Sequence, residues 1–510
     1  MAEVRVRGPV TKSPGTALGS RPVLAVVCLG VLALLAEFVP SLAEVRLSTR
    51  PTNGAAAEVP LGVAAPVLEL GQAELETETR SRPELAQPEH VELPRAAHGP
   101  IAKKIEGDQI AIDAEKPPVP IDDPNHRGLE AFYRALARTA AKEPNAITRV
   151  VHFGDSLVTS DYVSGTLRRK LQRQFGDSGH GFMLMANAWP AYFHNDVSRF
   201  SSSGWLVSRI VGPLSPDGLY GLGGVSFRAP PGSRARFGTA KSGSFGRGVS
   251  RFVLAYVKEP GGGKAKLRID GADVREIDTS APATTVSFEA LEVPDGEHEL
   301  EVLTTSGTTR AFGVVMERDA PGVVLDAIGI QGARVRFLDK QDDAHWAETL
   351  RWRKPDLLIY QFGANESGDG FAYPMDEYFR TMKDVLDQGR RARPEMGCLV
   401  VGAMDRAEKK GTALATMPVI PAIVAEQRKA AAAAGCAFFD TFKAMGGAGS
   451  MAAWVERGLG QADLTHPTGV GSEVIGNWLF RALMQGGALS YSASGISSSR
   501  ASARALPSRS

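Results

Sequence analysis

The chain has 510 residues, enough for two or three domains with more than one hydrophobic core. Its 58 basic and 57 acidic residues nearly cancel, which excludes the overall positive charge typical of a nucleic-acid-binding protein. There are three cysteines, and Cys28 lies inside an apolar run near the start. The other two, Cys398 and Cys436, leave room for one intrachain bridge, but each follows a glycine at the start of a predicted strand, and we interpret them as buried free thiols.

The first residues have the pattern of an export signal. Basic residues precede the apolar run 23–36, and Ser41-Leu42-Ala43 supplies the small residues at which a signal peptidase cuts. We therefore predict that residues 1–43 are a signal peptide or an uncleaved signal anchor, although the apolar run is short for a membrane span. The predicted location is the periplasm or the cell envelope, with anchoring in the inner membrane left open.

Two segments have compositions typical of disordered chain. Residues 44–121 are rich in Pro, Ala and Glu, and residues 487–510 are rich in Ser, Ala and Gly. Such segments bury too little apolar surface to offset the entropy of ordering, so we predict a flexible linker and a disordered tail.

Strands and helices alternate in residues 122–196 and again in residues 321–486. This alternation predicts an α/β domain with a parallel sheet and right-handed crossovers. The predicted strands are 147–153, 323–330, 355–362, 398–404 and 437–442, and the predicted helices are 129–141, 162–175, 346–351, 375–390, 418–434 and 469–484. Residues 176–182 are so rich in glycine that we predict a loop.

Residues 197–320 have a different pattern, with short β-rich runs broken by Gly and Pro. Regularly spaced short strands predict a β-sandwich. Because the α/β pattern returns afterwards, we predict that this module is inserted at a surface loop of the α/β domain. The predicted strands are 224–227, 251–257, 265–269, 284–288, 298–304 and 310–316.

Polar residues follow the ends of several predicted strands. In a parallel sheet these ends share one edge, so Ser156, Gly332, Asn365 and the pair Asp463 and His466 are expected to meet there. Taken alone, Gly154-Asp155-Ser156 favours a simple helix cap. Together the residues have the composition of a serine-histidine-aspartate triad, in which His466 takes the serine proton and Asp463 orients the imidazole.

An acyl-transfer site also needs donors for the developing oxyanion. The Ser156 N–H, the Gly332 N–H and the Asn365 side-chain amide are the candidates, and donors of this kind are typically worth roughly 10²–10³ in rate each. A helix beginning beneath Ser156 would add the positive end of its dipole. Gly329 is an alternative to Gly332, because the end of a predicted strand is uncertain by a few residues.

Four sequence blocks resemble those of the SGNH (GDSL-like) hydrolase superfamily: residues 153–157, 329–332, 363–365 and 463–466. The resemblance covers about 124–196 and 321–486. It implies a flavodoxin-like three-layer α/β/α fold and a serine mechanism without cofactor or metal. One departure is Glu366, where the family usually has Asp.

By position, the resemblance assigns Ser156 as nucleophile, Gly332 and Asn365 as oxyanion donors, and Asp463 and His466 as the rest of the triad. The inserted β-sandwich and residues 179–182 are similar to bacterial envelope esterases that remove O-acetyl groups from peptidoglycan, in which the inserted module resembles a carbohydrate-binding domain. The expected partner is therefore an acetylated glycan. An O-acetyltransferase, a lipase or thioesterase, and a non-catalytic glycan-binding scaffold remain alternatives.

The remaining histidines and aromatic residues favour structural interpretations. His152 lies among apolar residues and is predicted to be a core histidine, while Asp155 is expected to support the turn by bonding backbone amides. We predict that His180 and His194 are surface-loop residues. The aromatic residues of 189–193 favour packing over sugar stacking. No group of His, Cys and Asp has a recognisable metal-ligand spacing.

Overall fold

The computed structural model describes residues 119–493, with side chains to residue 487. The predicted signal segment 1–43, nearly all of the predicted linker 44–121 and the tail beyond residue 493 lie outside the described residues. The described chain begins at Val119, which is buried, and Asp122 already pairs with Phe438 at an edge of a sheet.

A five-stranded parallel sheet forms the centre of the α/β part, as predicted. Its strand order, β13-β1-β14-β15-β18, is the doubly wound order expected for a flavodoxin-like fold. The strands are Ile147–Gly154 (β1), Gly322–Gly329 (β13), Leu357–Gln361 (β14), Gly397–Val401 (β15) and Ala437–Phe439 (β18).

Nine α-helices lie in the described part of the chain. They are Glu130–Ala140 (α1), Ser156–Thr159 (α2), Tyr162–Phe175 (α3), Asp343–Arg353 (α4), Met375–Ala392 (α5), Val419–Ala434 (α6), Thr441–Met445 (α7), Ser450–Glu456 (α8) and Gly469–Ala493 (α9). Two 3₁₀ segments, Val335–Lys340 and Glu366–Ala372, precede α4 and α5. A small hairpin that the sequence pattern did not predict, Ala407–Lys410 (β16) and Ala413–Thr416 (β17), precedes α6.

The sheet is covered on both faces, which gives the three layers. Successive strand residues point to opposite sides, so Val150 packs with one hydrophobic core and Val151 with another. Helices α1, α3 and α9 contribute apolar side chains to the first core, and α4, α5 and α6 to the second. The predicted fold class is therefore confirmed for the α/β part.

Two antiparallel sheets occupy most of the chain between β1 and β13. The six-stranded sheet contains Gly181–Leu184 (β2), Leu206–Arg209 (β4), Val225–Ala229 (β5), Val249–Lys258 (β7), Thr285–Gly296 (β10) and Thr309–Glu317 (β12). The five-stranded sheet contains Val197–Ser201 (β3), Arg234–Thr239 (β6), Lys264–Ile269 (β8), Ala272–Asp278 (β9) and Glu299–Ser306 (β11). Phe227 and Leu254 of the first sheet and Phe237 and Leu267 of the second belong to one buried core, as in a sandwich.

Strand β2 corrects the prediction of a loop at 176–182, because its first two residues are already extended and paired with β12. The Phe182 N–H donates to Asp326 Oδ1 over 2.7 Å. Gly181 has a φ of +98°, and a Cβ there would come within 2.4 Å of the same oxygen. Glycine is thus required for this close approach rather than for a loop.

Buried ion pairs join the β-rich module to the parallel sheet. Glu317, at the end of β12, binds both Arg149 of β1 and Arg353 of α4, and Arg353 also pairs with Asp326 of β13 through a bond of 2.6 Å. Each charge has opposite partners within hydrogen-bond distance, which a buried charge needs to be tolerated. The network fixes the point at which the chain passes from β12 into β13.

Cys398 and Cys436 form a disulfide, so the prediction of free thiols is wrong. Leu399 of β15 pairs with Ala437 of β18, which puts the preceding residues beside each other with their Cα atoms 4.7 Å apart. Neighbouring strands of a sheet lie at about this spacing, and it falls within the range for a disulfide.

Helix α9 continues to Ala493, so the predicted disordered tail 487–510 is wrong for its first residues. The helix is held near this end by Tyr133, whose hydroxyl donates to the Leu483 carbonyl over 2.8 Å and lies where a Cβ on Gly486 would be. Within residues 119–493, no helix combines the length and apolarity needed to cross a membrane.

Candidate active site

Ser156 lies directly beyond the carboxyl end of β1, on a tight turn. Gly154 ends the strand, and a Cβ there would come within 2.3 Å of a Val158 methyl group, so only glycine fits. Asp155 caps the helix that follows, because its Oδ1 accepts the Leu157 N–H over 3.0 Å, as predicted.

The helix beneath Ser156 differs from the expectation. Ser156 begins the four-residue helix α2, whereas Asp161, in a left-handed conformation with a φ of 52°, separates this turn from α3. The long helix therefore begins at Tyr162 and not at the serine. What remains for an oxyanion is the local backbone N–H of the turn.

The loop before α9 brings Asp463 and His466 to the same edge of the sheet. Asp463 Oδ1 accepts the N–H groups of Thr465 and His466 over 3.0 Å each, which folds the loop around the carboxylate. Its other oxygen, Oδ2, lies 2.6 Å from His466 Nδ1. The Asp463 carboxylate thus bridges the three-residue separation by binding both the backbone and the ring of His466.

His466 connects this loop to the nucleophile turn. Its Nε2 lies 2.7 Å from Ser156 Oγ. A proton on Nδ1, donated to Asp463, leaves Nε2 as the acceptor for the serine hydroxyl. The structure therefore brings all three predicted triad residues into one hydrogen-bonded line.

All three side chains of the hydrogen-bonded triad are partly open to solvent. The side chains of Asp463 and His466 are 47% and 33% exposed, and Ser156 is half-buried. Burial raises the pKa of Asp463, but the hydrogen bonds from the His466 backbone and ring and from Thr465 outweigh it, so the pKa lies below its ordinary value. The carboxylate is therefore charged at neutral pH, which is what an imidazolium partner requires.

The two predicted oxyanion residues occupy the loops after β13 and β14. Gly332 is exposed with a φ of +78°, and its N–H has no acceptor among residues 119–493. Asn365 Nδ2 donates to the Ala333 carbonyl over 2.9 Å, which ties the two loops together. A primary amide has two N–H donors, so one remains for a ligand. Gly329 is buried in β13, where a Cβ would come within 2.1 Å of Thr159 N, and it is not presented to this space.

Glu366, at the position where the sequence departs from the pattern of the resembled family, contacts the loop that carries Gly332. Its Oε1 accepts the Val335 N–H over 2.8 Å, so the longer side chain reaches across to the loop that carries Gly332. Arg334 binds Asp369 with two bonds of 2.7 and 2.6 Å a little farther along the same loops. Together with the Asn365 bond, these contacts brace the two loops against each other.

Two buried carboxyl groups lie behind the donors. Burial raises the pKa of Asp155 to about 7 and also raises that of Glu366, and the proximity of Glu366 adds to the shift of Asp155. One oxygen of each, Asp155 Oδ2 and Glu366 Oε2, has no protein partner among the described residues. A protonated carboxyl tolerates such burial better than a carboxylate does.

Comparison with known proteins supports the assignment of the fold. No protein-family model matches the chain, and a search of curated proteins also found no match. Among solved structures, the chain is similar to a structure described as a peptidoglycan O-acetylesterase in action, with a TM-score of 0.61 and 21% identity over 72% of this chain and 99% of that one. This similarity shows that the chain has the fold of that structure.

Two other solved structures share smaller or looser parts. A lipase/acylhydrolase from Enterococcus faecalis matches 32% of this chain and 77% of its own at 18% identity and a TM-score of 0.25. A family two carbohydrate esterase from Cellvibrio japonicus matches 57% of this chain and 98% of its own at 13% identity and a TM-score of 0.23. These overlaps are too weak to support an inference.

A second Asp-His cluster lies inside this fold, near α2 and α3. Ligand atoms of Asp161, His180 and His194, all buried, lie within 4.8 Å of one another. His180 and His194 are thus core residues, and the prediction that they lie on the surface is wrong. The sequence spacing gave no sign of this cluster, because it forms only when residues 185–196 fold back over α2.

Hydrogen bonds within the protein already occupy most of this second cluster. His180 Nε2 lies 2.9 Å from His194 Nδ1, and His194 Nε2 lies 2.8 Å from the Tyr192 hydroxyl. Arg168 binds both oxygens of Asp161 over 3.1 and 2.8 Å. Burial lowers the pKa of both histidines, and Arg168 adds to the effect. A guanidinium on the carboxylate disfavours a metal cation there, so the cluster is a neutral hydrogen-bonded network.

The other structural interpretations are confirmed. His152 is fully buried with its Nε2 3.0 Å from Gln361 Oε1, and burial lowers its pKa to about 4. Trp189 and Tyr192 are buried in the core shared with the β-rich module. None of these residues belongs to the exposed triad.

Proposed function

We propose that this protein is an exported serine esterase of the SGNH type that removes O-acetyl groups from an envelope glycan, with peptidoglycan as the first candidate. The observation that carries the proposal is the line from Ser156 Oγ through His466 to Asp463, with contacts of 2.7 and 2.6 Å. The similarity in fold to a peptidoglycan O-acetylesterase structure supports the choice of substrate class.

In the first half-reaction, Ser156 Oγ attacks the carbonyl carbon of the acetyl ester while His466 Nε2 accepts the hydroxyl proton. The tetrahedral oxyanion is stabilised by the Ser156 and Gly332 N–H groups and the free N–H of Asn365. The intermediate collapses, the bond to the sugar oxygen breaks, and His466 returns its proton to that oxygen. The acetyl group is left on Ser156.

In the second half-reaction, a water molecule replaces the sugar hydroxyl. His466 takes a proton from the water as it attacks the acetyl-serine, and then gives it to Ser156 Oγ as acetate leaves. Asp463, charged at neutral pH, stabilises the imidazolium in both halves. The exposure of Asp463 and His466 lets a polymeric substrate reach the serine from solvent.

Two features support export. Residues 1–43 have the pattern of a signal peptide or anchor. The Cys398–Cys436 disulfide lies in the core of the parallel sheet, and such bonds persist in oxidising compartments such as the periplasm. We therefore propose a periplasmic or envelope location, with or without an amino-terminal membrane anchor.

Acetate release from O-acetylated peptidoglycan by the full-length chain tests the proposal, with a long-chain p-nitrophenyl ester as competing substrate. Ser156→Ala should abolish acetate release. Ser160→Ala is the matched control, because Ser160 lies at the other end of α2 and should be neutral.

The alternatives give different results in the same assay. Preference for the long-chain ester would indicate a lipase or thioesterase. Transfer of acetyl to an added acceptor glycan would indicate an O-acetyltransferase. Glycan binding with no turnover of any ester would favour a scaffold, and undiminished esterase activity of Ser156→Ala would contradict the serine mechanism.

A further inference from the structure

Beside the oxyanion loops lies an aromatic side chain that nothing in the fold covers. Phe371 is 62% exposed and is the sole aromatic residue among the exposed large hydrophobic side chains of residues 119–493. It belongs to the 3₁₀ segment Glu366–Ala372, which begins directly after Asn365. The exposed phenyl ring beside the candidate donors offers a flat apolar face on which a ligand can stack.

The backbone directs Phe371 outward. Gly370, immediately before it, has φ 56° and ψ −147°, a combination that is essentially restricted to glycine, and the segment kinks there. The kink lies between two fixed points. Asp369 is held by Arg334, and the buried Tyr373 donates from its hydroxyl to Thr381 Oγ1 over 3.2 Å. Phe371 is therefore presented on a braced segment.

A guanidinium accompanies the ring. Arg336 lies over the face of Tyr373, 4.8 Å from the ring centroid, and 3.9 Å from Asp369 Oδ2. Asp369 already forms two short bonds with Arg334, so it compensates Arg336 only weakly. The Arg336 side chain is about one-third exposed, which leaves N–H donors facing solvent.

A second guanidinium lies across the same segment. Arg406 donates to the Ala364 carbonyl and to Ser367 Oγ, both over 2.9 Å. No carboxylate pairs with it among the residues that the structure describes. The surface next to the candidate oxyanion donors thus combines an exposed aromatic ring with positive charge that is only partly compensated.

We propose that Phe371 and Arg336 form a sugar subsite that selects acetylated glycans bearing a carboxylate next to the stacked ring. The apolar face of a pyranose stacks on a phenyl ring, and a guanidinium binds a carboxylate through directed, charge-assisted bonds. The inference rests on the proposed esterase function and narrows its substrate from acetylated glycans in general to acidic ones. Neutral acetylated polysaccharides can stack on Phe371 but have no carboxylate for Arg336 to bind.

The test compares three substrates: soluble O-acetylated peptidoglycan fragments with free carboxyl groups, the same fragments after amidation of those groups, and p-nitrophenyl acetate. Phe371→Leu and Arg336→Gln should each raise KM for the intact fragments roughly ten-fold, with kcat nearly unchanged. Amidation should weaken wild type in the same way but leave Arg336→Gln unaffected. Activity on p-nitrophenyl acetate should stay within about two-fold, because that ester has neither the sugar ring nor the carboxylate that the subsite binds.

Matched controls are Leu206→Ala, which removes another exposed apolar side chain, and Arg380→Gln, which removes a guanidinium from the surface of α5. Both should leave KM unchanged. Unchanged KM in Phe371→Leu and Arg336→Gln would overturn the subsite. Equal loss on p-nitrophenyl acetate would also overturn it, because the residues would then act on the catalytic geometry.

Failure of the esterase proposal can be distinguished from failure of the proposed subsite. If wild type does not release acetate from the fragments, their binding to full-length Ser156→Ala is measured by calorimetry with and without the second substitution. Binding that weakens roughly ten-fold with Phe371→Leu or Arg336→Gln would support the subsite without the reaction. Absence of binding, or binding that neither substitution weakens, would overturn the subsite.

Discussion

The molecule contains two Asp-His clusters of similar composition in different surroundings. The first joins Ser156, His466 and Asp463 at the open edge of the sheet, where each side chain is partly exposed. The second joins Asp161, His194 and His180 beneath α2 and α3, where all three are buried.

The difference between them lies in their accessibility to solvent. In the exposed cluster, the serine hydroxyl at the end of the line is free to leave His466 for a substrate. In the buried cluster, Arg168 holds the carboxylate, the Tyr192 hydroxyl contacts the outer nitrogen of His194, and none of the three side chains is accessible to a substrate from solvent. Residue types alone therefore do not identify a site, whereas accessibility and an open end do. Four substitutions sharpen this contrast.

The largest effect is expected at the base. His466→Ala should lower kcat for acetyl esters by roughly 10⁴ or more, because Ser156 is then left without a proton acceptor. The thermal midpoint should change little, since His466 is one-third exposed. Steady-state kinetics and a melting curve check both parts, and a kcat within about ten-fold of wild type would contradict the assigned role.

Removal of an oxyanion donor should have the next largest effect. Asn365→Ala is expected to lower kcat by roughly 10²–10³, with a smaller change in KM, because the donor acts on charge that develops in the transition state. The Ala333 carbonyl also loses its partner, so the melting curve serves as a control. An increase in KM with kcat unchanged would assign Asn365 to substrate binding.

Asp155 should make stability depend on pH. Its pKa is about 7 in the folded protein and near 3.8 when the chain is unfolded, so the folded state keeps a proton that the unfolded state loses as pH rises. The free energy of unfolding should fall with rising pH across that interval, by up to about 1.4 kcal/mol per pH unit, and level off above pH 7. Asp155→Asn retains the cap acceptor and should have a smaller slope, because only the buried Glu366, whose pKa is also raised, then remains of this pair. Urea unfolding of wild type and Asp155→Asn at pH 5, 6, 7 and 8 checks this prediction. Parallel dependences of the free energy of unfolding on pH in the two proteins would refute it.

The smallest effect is expected in the buried cluster. His194→Ala leaves His180 Nε2 without a partner, removes one of the two hydrogen bonds of the Tyr192 hydroxyl, and should lower the free energy of unfolding by about 1–3 kcal/mol. The kcat of the folded enzyme should stay within about two-fold. This variant is the matched partner of His466→Ala, and a large loss of kcat without loss of stability would show that the two clusters are functionally coupled.

Local sequence pattern predicted the exposed cluster well because Ser156 directly follows a strand of the parallel sheet, and Asp463 and His466 lie in the polar loop just before the last helix. The same reasoning located the alternating strands and helices of the α/β part. The oxyanion brace through Glu366 was not predictable, since it depends on how far a side chain reaches between two loops.

What the pattern missed depends on contacts between distant segments. The disulfide requires the register of β15 against β18, and the buried histidines require the return of residues 185–196 over α2. The hairpin β16–β17 has exposed polar residues and no hydrophobic alternation. The break at Asp161 depends on a left-handed residue held by Arg168 and Asn195, which no local propensity indicates.

Labelling with a fluorophosphonate probe, mapped by mass spectrometry of the full-length protein, tests the central claim most directly. The account predicts one modified residue, Ser156, with labelling slowed by orders of magnitude in His466→Ala and unchanged in His194→Ala. Esterase activity that persists with Ser156 unlabelled, or labelling at another residue, would contradict it.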